Sequence, residues 1–219
     1  SYYLTINDAC HICCQAALES EATRMKVSRE QAAENRERIV QVAAKLFRER
    51  GFDGIGVADL MKAAGLTHGG FYGHFASKED LAAEASGRAL EETLQYWSTA
   101  IEKAPDEAFQ KIVNRYVSEA HRDAPGRGCL VAALGSDVGR QARPVRRVVT
   151  DGINAFIGQL MQLVPGKSKA VRRQQALTDF AAMVGAVTIA RAADDPALSK
   201  DVLDAVASSL LEQRDGSRH

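Results

Sequence analysis

The chain has 219 residues, of which 46% are apolar, so it can bury a sizeable core as one large domain or two small ones. Its 28 basic and 28 acidic residues balance, which excludes a strongly basic field over the whole chain but leaves room for a local basic patch. No apolar run approaches the roughly 18 residues of a membrane span, and the N-terminus lacks the pattern of a signal peptide. We therefore expect a cytoplasmic protein.

The first 24 residues differ in character from the rest, because they show no clean apolar period. We interpret residues 1–27 as an N-terminal extension of uncertain origin, either a segment upstream of a natural start at Met25 or a genuine extra segment. Three of the four cysteines lie here, in the run Cys10-His11-Ile12-Cys13-Cys14. A structural zinc site needs four ligands, normally from two separated pairs. Since no second pair follows, we expect neither a metal nor another cofactor.

From residue 28 onward, the pattern predicts one helix after another. Ser28 with Gln31 indicates a capping box that begins the first helix, and Gly51 is placed to end it. A short helix from Val57 is expected to end at Gly65. The apolar positions recur three and four residues apart in the first helix, at Ile39, Val42, Ala43, Leu46 and Phe47.

The remaining boundaries follow from caps and breakers. Ser77 should cap a long helix, Pro105 should stand in the first turn of the next, and Pro165-Gly166 should separate two apolar helices. No convincing alternating strand is present. The sequence predicts an all-α fold of about nine or ten helices, with an N-terminal helix-turn-helix domain over 28–84 and a helical bundle over 85–219.

The stretch AAGLTHGGFYGHFASK, residues 63–78, combines glycines and aromatics in a way that requires an explanation. A short helix, a turn at Gly65 and a second helix beginning at Thr67 form a helix-turn-helix pattern. Gly65 can take the left-handed conformation that redirects the chain, and Leu66 and Phe71 would hold the second helix in place. An ordinary helical hairpin would show the same pattern, so it leaves DNA binding and simple packing equally open.

The wider stretch 36–81 closely resembles the DNA-binding domain of the TetR/AcrR family of transcriptional regulators. The matching segments are RERIVQVAAKLFRERGF (36–52), VADLMKAAGL (57–66) and THGGFYGHFASKEDL (67–81). The resemblance implies a homodimeric, repressor-like protein that binds double-stranded DNA at a palindromic operator, with the helix Thr67–His74 in the major groove. It covers about a fifth of the chain strongly and the remainder only in architecture.

The resemblance also implies roles for individual residues. The DNA-binding candidates are Thr67, His68, Gly70, Tyr72, His74 and Lys78. Gly69 matches a family glycine, which favours packing against the first helix, whereas Gly70 more plausibly faces DNA. From Lys26 to Leu81 there are nine Lys or Arg residues against eight Asp or Glu residues. Direct contacts are therefore few, and binding should fall with salt.

The family implies that the C-terminal bundle senses a small-molecule effector, which would release the protein from DNA. Trp97 and Tyr116 are the best candidates for an apolar cavity, although aromatics at helical spacing more often pack in a core. Cys129 is either a buried small hydrophobic residue or a sensor of oxidants, for which it would need exposure and a lowered pKa. The apolar helices near 145–164 and 177–193 match the family's dimer interface.

Two other classes of protein compete with a regulator. A helical-bundle enzyme would need a nucleophile motif, a metal cluster, a phosphate loop or paired carboxylates, and the sequence offers none of these; we expect no enzyme. A helical protein-interaction adaptor could retain the helix-turn-helix only as a scaffold, in keeping with the neutral charge and the few contacts.

Overall fold

A computed structural model of the protein describes the backbone of residues 6–215 and the side chains of residues 28–214. Over this range the chain is helical, without a strand, so the predicted all-α class is confirmed. None of the described helices is long and apolar enough to cross a membrane. The α-helices in chain order are α1 (Ile6–Arg50), α2 (Val57–Ala63), α3 (Lys78–Lys103), α4 (Pro105–Tyr116), α5 (Glu119–Asp123), α6 (Leu130–Val138), α7 (Arg143–Leu163), α8 (Lys169–Ala192) and α9 (Pro196–Asp215), with 3-10 helices at His68–Gly73 and Pro125–Arg127.

The first helix differs from its prediction. Ser28 does not begin it, because α1 is continuous from Ile6 to Arg50. Inside a continuous helix the backbone N–H groups already donate to carbonyls one turn earlier, so no free donors remain for a capping box. Gln31 instead donates from Nε2 to Glu34 Oε2, 3.2 Å away. The segment 10–14 that resembles a metal site lies outside the residues with described side chains, and the origin of residues 1–27 stays a prediction.

The predicted helix ends are confirmed where glycine or a cap defines them. Gly51 and Gly65 have φ of 80° and 73°, in the left-handed region that glycine alone enters without strain. The Ser77 hydroxyl accepts a hydrogen bond of 3.1 Å from the Asp80 backbone N–H and begins α3. Pro105 occupies the first turn of α4. The first three positions, Gly51, Gly65 and Ser77, fix how the helix-turn-helix segment is inserted between α1 and α3.

The long helix α3 joins the N-terminal helices to the C-terminal bundle. Its first half packs on α1, where Arg36 Nη2 donates to Glu84 Oε2 at 2.6 Å and Arg88 pairs with Glu37 at 2.7 Å. Its second half packs on α7 and α4. One hydrophobic core runs through both parts, and its C-terminal portion is built around the stacked rings of Phe156 and Phe180, 5.3 Å apart.

Candidate DNA-binding surface and ligand cavity

The second helix of the helix-turn-helix is a six-residue 3-10 helix, His68–Gly73, rather than the α-helix predicted over Thr67–His74. Thr67 stands at its N-cap position with an extended backbone, but its side chain makes no capping hydrogen bond. Half of the six residues are glycines, each of which costs about 1 kcal/mol relative to alanine in an α-helix. This composition explains why only a short 3-10 helix forms.

A single buried residue, Phe71, holds this 3-10 helix to the protein. Its ring stacks on Phe75 with centroids 5.7 Å apart, and the edge of Tyr72 approaches it at 5.3 Å. Arg36 of α1 lies over the other aromatic of the pair, 4.6 Å from the centroid of Phe75. Tyr72 itself is 71% exposed. The helix is therefore anchored by one side chain and presents the others to solvent.

All six predicted DNA-binding residues lie on this 3-10 helix or at its flanks. Four of them are exposed, and His74 and Lys78 are half-buried; the exposed ones are Thr67, His68, Gly70 and Tyr72. Lys62, in the last turn of α2, is also exposed and was not singled out from the sequence. Among the described residues, neither Lys62 nor Lys78 forms an ion pair, so both ammonium groups are available to a phosphate.

The glycines of this helix are arranged differently from the prediction. A methyl group added at Gly69 would meet nothing within 4 Å, and the same holds at Gly73. Gly69 is thus not required for packing against α1. Gly70, expected to face DNA, is exposed, and a methyl group added there would make ordinary contact, at 3.7 Å, with Met61 Cε of α2 and with Thr67 Oγ1. Gly69 and Gly73 are the positions with open space beside the backbone.

A cavity of about 700 Å³ opens in the C-terminal bundle, between α3, α4, α5 and the segment that leads into α6. Trp97, Tyr116 and Cys129, the three residues predicted to bind a ligand, all line it. They form its floor, because no more than 4% of any of them is exposed. The more accessible lining residues are largely polar: Glu92, Thr93, Tyr96, Asn114, Arg115 and Arg127.

Cys129 lies at the N-cap position of α6 and is 2% exposed. Burial raises the pKa of its thiol, although the proximity of Tyr116 and of the backbone of Val131 and Ala132 acts in the opposite direction. A reactive cysteine needs exposure and a thiolate population. The structure therefore favours the first of the two alternatives, a buried small hydrophobic residue.

His121 fixes the wall of the cavity beside Cys129. Its Nε2 accepts a hydrogen bond of 2.9 Å from the Cys129 backbone N–H, which leaves Nδ1 to donate to the Tyr116 carbonyl at 2.6 Å. Burial is the main cause that lowers the His121 pKa, and the positive charges of Arg191, Arg115 and Arg48 lower it further. The ring is thus held neutral, in a region of positive potential.

Arg48 connects the N-terminal helices to this wall. Its side chain is 3% exposed; Nη1 donates to the Gly128 carbonyl at 2.8 Å and Nη2 to Glu92 Oε2 at 3.2 Å. Both acceptors belong to residues that line the cavity. Arg48 was not predicted from the sequence, although its position is informative: it follows the buried residues Val40 and Ala44 at steps of four, so a charged group stands on the apolar face of α1.

The two helices predicted to form a dimer interface differ in character. The helix near 145–164, α7, buries its apolar side in the core and exposes mostly polar residues. In contrast, α8 exposes apolar side chains, with Leu177 at 45% and Ile189 at 54%. On the neighbouring helix α9, Leu198 is 51% exposed. The exposed apolar surface of the bundle therefore lies on α8 and α9.

Comparison with known proteins agrees with this architecture. Residues 39–85 match the family described as bacterial regulatory proteins, tetR family. The chain is 29% identical over 96 residues to the HTH-type transcriptional repressor DhaR of Mycobacterium sp. (strain GP1), covering 44% of this chain and 48% of that protein. It is 39% identical over 57 residues to the HTH-type transcriptional regulator AcrR of Shigella flexneri, covering 26% of each chain. The chain thus spans about half or less of the length of these two relatives.

A solved structure extends the likeness to the whole fold. A TetR transcriptional regulator from Legionella pneumophila superposes with a TM-score of 0.70 at 19% identity, covering 81% of this chain and 95% of that one. At this identity the likeness concerns the fold. Together with the family match over residues 39–85, it indicates the class of protein: the helix-turn-helix segment is that of the TetR/AcrR family of transcriptional regulators, and the described fold is similar to that of a TetR regulator.

Proposed function

We propose that this protein is a ligand-responsive repressor, which binds a palindromic operator as a homodimer and is released from DNA by a small molecule. The observation that carries the proposal is the exposed 3-10 helix, in which Phe71 is the one buried residue while His68 and Tyr72 project into solvent. Side chains without a role in packing are available for the base edges and phosphates of a major groove.

Affinity in this proposal depends on few contacts per subunit. Lys62 and Lys78 supply unpaired ammonium groups close to the 3-10 helix, while the open backbone at Gly69 and Gly73 allows close approach to DNA. One subunit presents a single short helix, so a stable complex requires two copies that occupy half-sites about one helical turn, roughly 34 Å, apart. A protein with this function meets its operator in the cytoplasm.

The exposed apolar surface of α8 and α9 supports the homodimer. Two copies of this helix pair would form a four-helix interface that covers Leu177, Ile189 and Leu198, and the exposed small residues Ala181 and Ala192 would permit close approach of the helices. We therefore retain the helix 177–193 in the interface and propose α9 in place of the helix 145–164. Ile189→Glu should convert the dimer to a monomer in light scattering, whereas Arg147→Glu on α7 should leave it dimeric.

The ligand response is supported by the cavity and by its connection to α1. Because Arg48 binds both Gly128 and Glu92, a ligand that displaces either acceptor changes how the DNA-binding helices sit on the bundle. Its effect on DNA affinity is bounded by the difference in its affinity for the two arrangements.

DNA binding is tested by fluorescence anisotropy with labelled duplexes from the intergenic region beside the protein's own gene. We expect specific binding at low salt, relative to a shuffled duplex of equal composition, and weaker binding as salt rises. His68→Ala and Tyr72→Ala should reduce affinity while the dimer persists, and Gln110→Ala, on the exposed side of α4, should not. Specific binding that survives both substitutions would show that this helix does not read the DNA. An absence of specific binding to every palindrome tested would refute the repressor.

A further inference from the structure

The charges around the cavity are unevenly distributed. Arg115 and Arg127 both line it and are exposed. Arg127 has no ion-pair partner among the described residues. The guanidinium of Arg115 lies 4.0 Å from the centre of the Tyr96 ring, and such stacking leaves the N–H groups at its edge free to donate. Two guanidinium groups with unused donors therefore face the same space.

The single carboxylate among the lining residues, Glu92, does not neutralise the positive charges of Arg115 and Arg127. Glu92 is already paired with Arg48, whose side chain is buried behind the wall. A third cation, Arg191, does not line the cavity but lies behind His121 and donates to the carbonyls of His121 and Arg122 at 2.6 and 3.0 Å. His121 is a neutral neighbour in this arrangement, because its Nε2 accepts from the Cys129 backbone. The side chains that line the cavity thus present two guanidinium groups without an ion-pair partner in the described part of the chain and no unpaired carboxylate, although the protein as a whole has no net charge.

We propose that the cavity binds an organic carboxylate, with the carboxylate between Arg115 and Arg127 and an apolar body toward Tyr96 and the floor above Trp97. The inference rests on the proposed ligand-responsive function and names the chemical class of its effector. Arginine donors match the two oxygens of a carboxylate in a bidentate geometry, and Thr93 and Asn114 add neutral polar groups on the wall. A cavity of about 700 Å³ accepts a molecule of drug size.

The test uses three probes that share one planar body and differ in charge: naphthalene-1-carboxylate, naphthalene-1-carboxamide and naphthalen-1-ylmethylammonium. Isothermal titration calorimetry with the full chain, without DNA, measures their dissociation constants. We expect the carboxylate to bind about tenfold more tightly than the amide, since hydrogen bonds to an ionised acceptor are roughly twice as strong. The ammonium probe should bind more weakly than the amide.

Variants locate the carboxylate. Arg115→Gln and Arg127→Gln should each weaken naphthalene-1-carboxylate binding several-fold, and the double variant should bind it no better than the amide. Arg147→Gln, an exposed arginine of α7 outside the cavity, is the matched control and should bind like the wild type. Thermal unfolding of each variant confirms that it is folded, which exposed Arg-to-Gln substitutions should permit.

Several results would overturn the proposal. Equal binding of the three probes would show that the cavity recognises only an apolar body. Tightest binding of the ammonium probe would show that the Glu92 carboxylate, rather than the arginines, determines which charge the cavity prefers. If none of the three probes binds, an organic carboxylate is excluded as the chemical class of the ligand. None of these outcomes affects the measurement of operator binding, since the titration contains no DNA; conversely, failure to bind an operator would leave the preference for a carboxylate standing.

Discussion

Replacing Arg48 by methionine tests the connection between the DNA-binding domain and the cavity wall. Methionine keeps an unbranched apolar stem in the buried position but removes the donors to the Gly128 carbonyl and to Glu92, 2.8 and 3.2 Å away. Gly128 is buried, so its carbonyl loses a charged partner without gaining water, whereas Glu92, half-exposed in the structure, can turn to solvent. The Gly128 bond should therefore dominate the loss.

The magnitude follows from these two environments. Loss of a hydrogen bond from a charged donor to a buried acceptor costs about 1.5–3 kcal/mol. The pair with half-exposed Glu92 adds about 0.5 kcal/mol, and removal of the buried guanidinium returns part of its desolvation penalty. We expect Arg48→Met to lower the free energy of unfolding by about 2 kcal/mol, which shifts the urea midpoint down by roughly 1 M at a typical denaturant slope.

The assay is urea unfolding at fixed protein concentration, followed by fluorescence of Trp97, the single tryptophan of the chain. Arg38→Met is the matched control, because Arg38 lies on the exposed side of the same helix and should change the free energy by no more than about 0.5 kcal/mol. Glu92→Gln separates the two partners of Arg48 and should cost well under 1 kcal/mol. The reasoning fails if Arg48→Met unfolds with the wild type, or if Glu92→Gln costs as much as Arg48→Met.

Three further predictions concern charge, backbone and pH. Lys78→Gln should reduce the salt dependence of operator binding by about two released counterions per dimer, whereas Lys111→Gln, whose ammonium pairs with Glu107 in α4, should leave the slope unchanged; equal slopes for both would remove Lys78 from the phosphate contacts. In thermal unfolding, Gly69→Ala should stabilise the protein by about 0.5–1 kcal/mol, because the added methyl group meets open space. Gly65→Ala should destabilise it by at least as much, because the φ of Gly65 is 73°. Stabilisation by both substitutions would contradict the left-handed turn at Gly65. The free energy of unfolding should fall as pH drops through about 6.5, because His121 takes up a proton in the unfolded chain, whereas its pKa is lowered in the folded protein. His121→Gln should flatten this pH dependence. An unchanged pH profile in that variant would show that His121 is not the source.

Sequence reasoning succeeded where one residue dictates the backbone. Gly51 and Gly65 end their helices because glycine reaches positive φ without strain, and Ser77 and Pro105 mark helix starts through a cap and a fixed φ. Ser28 has the same chemistry as Ser77, but residues before it are also helical, and a cap has no function inside a helix. Local sequence signals thus predicted the helix boundaries, except at Ser28, where the preceding segment is also helical and no helix begins.

Residues whose role depends on tertiary contacts were harder to assign. The packing role expected for Gly69 is not supported, because a methyl group added there would meet nothing within 4 Å, whereas the DNA-facing role of the exposed Gly70 stays a prediction. The three glycines of His68–Gly73 already disfavour an α-helix, because the free-energy cost of each glycine adds to that of the others. The sequence could therefore have predicted a short 3-10 helix at this position. Trp97, Tyr116 and Cys129 do meet at one cavity, but as its floor, so the accessible arginines that define its charge were left out of the prediction.

The segment 124–129 explains why a ligand in the cavity could act at a distance. It is held to the rest of the protein through main-chain groups: Arg48 binds the Gly128 carbonyl, and His121 binds the Cys129 N–H. A main-chain carbonyl moves only with its segment, so a ligand that shifts this segment displaces the acceptor of the buried Arg48 guanidinium. If the protein responds to a ligand as proposed, this bond is the contact through which the shift reaches α1, and by linkage operator DNA would change the affinity for the ligand by the same factor.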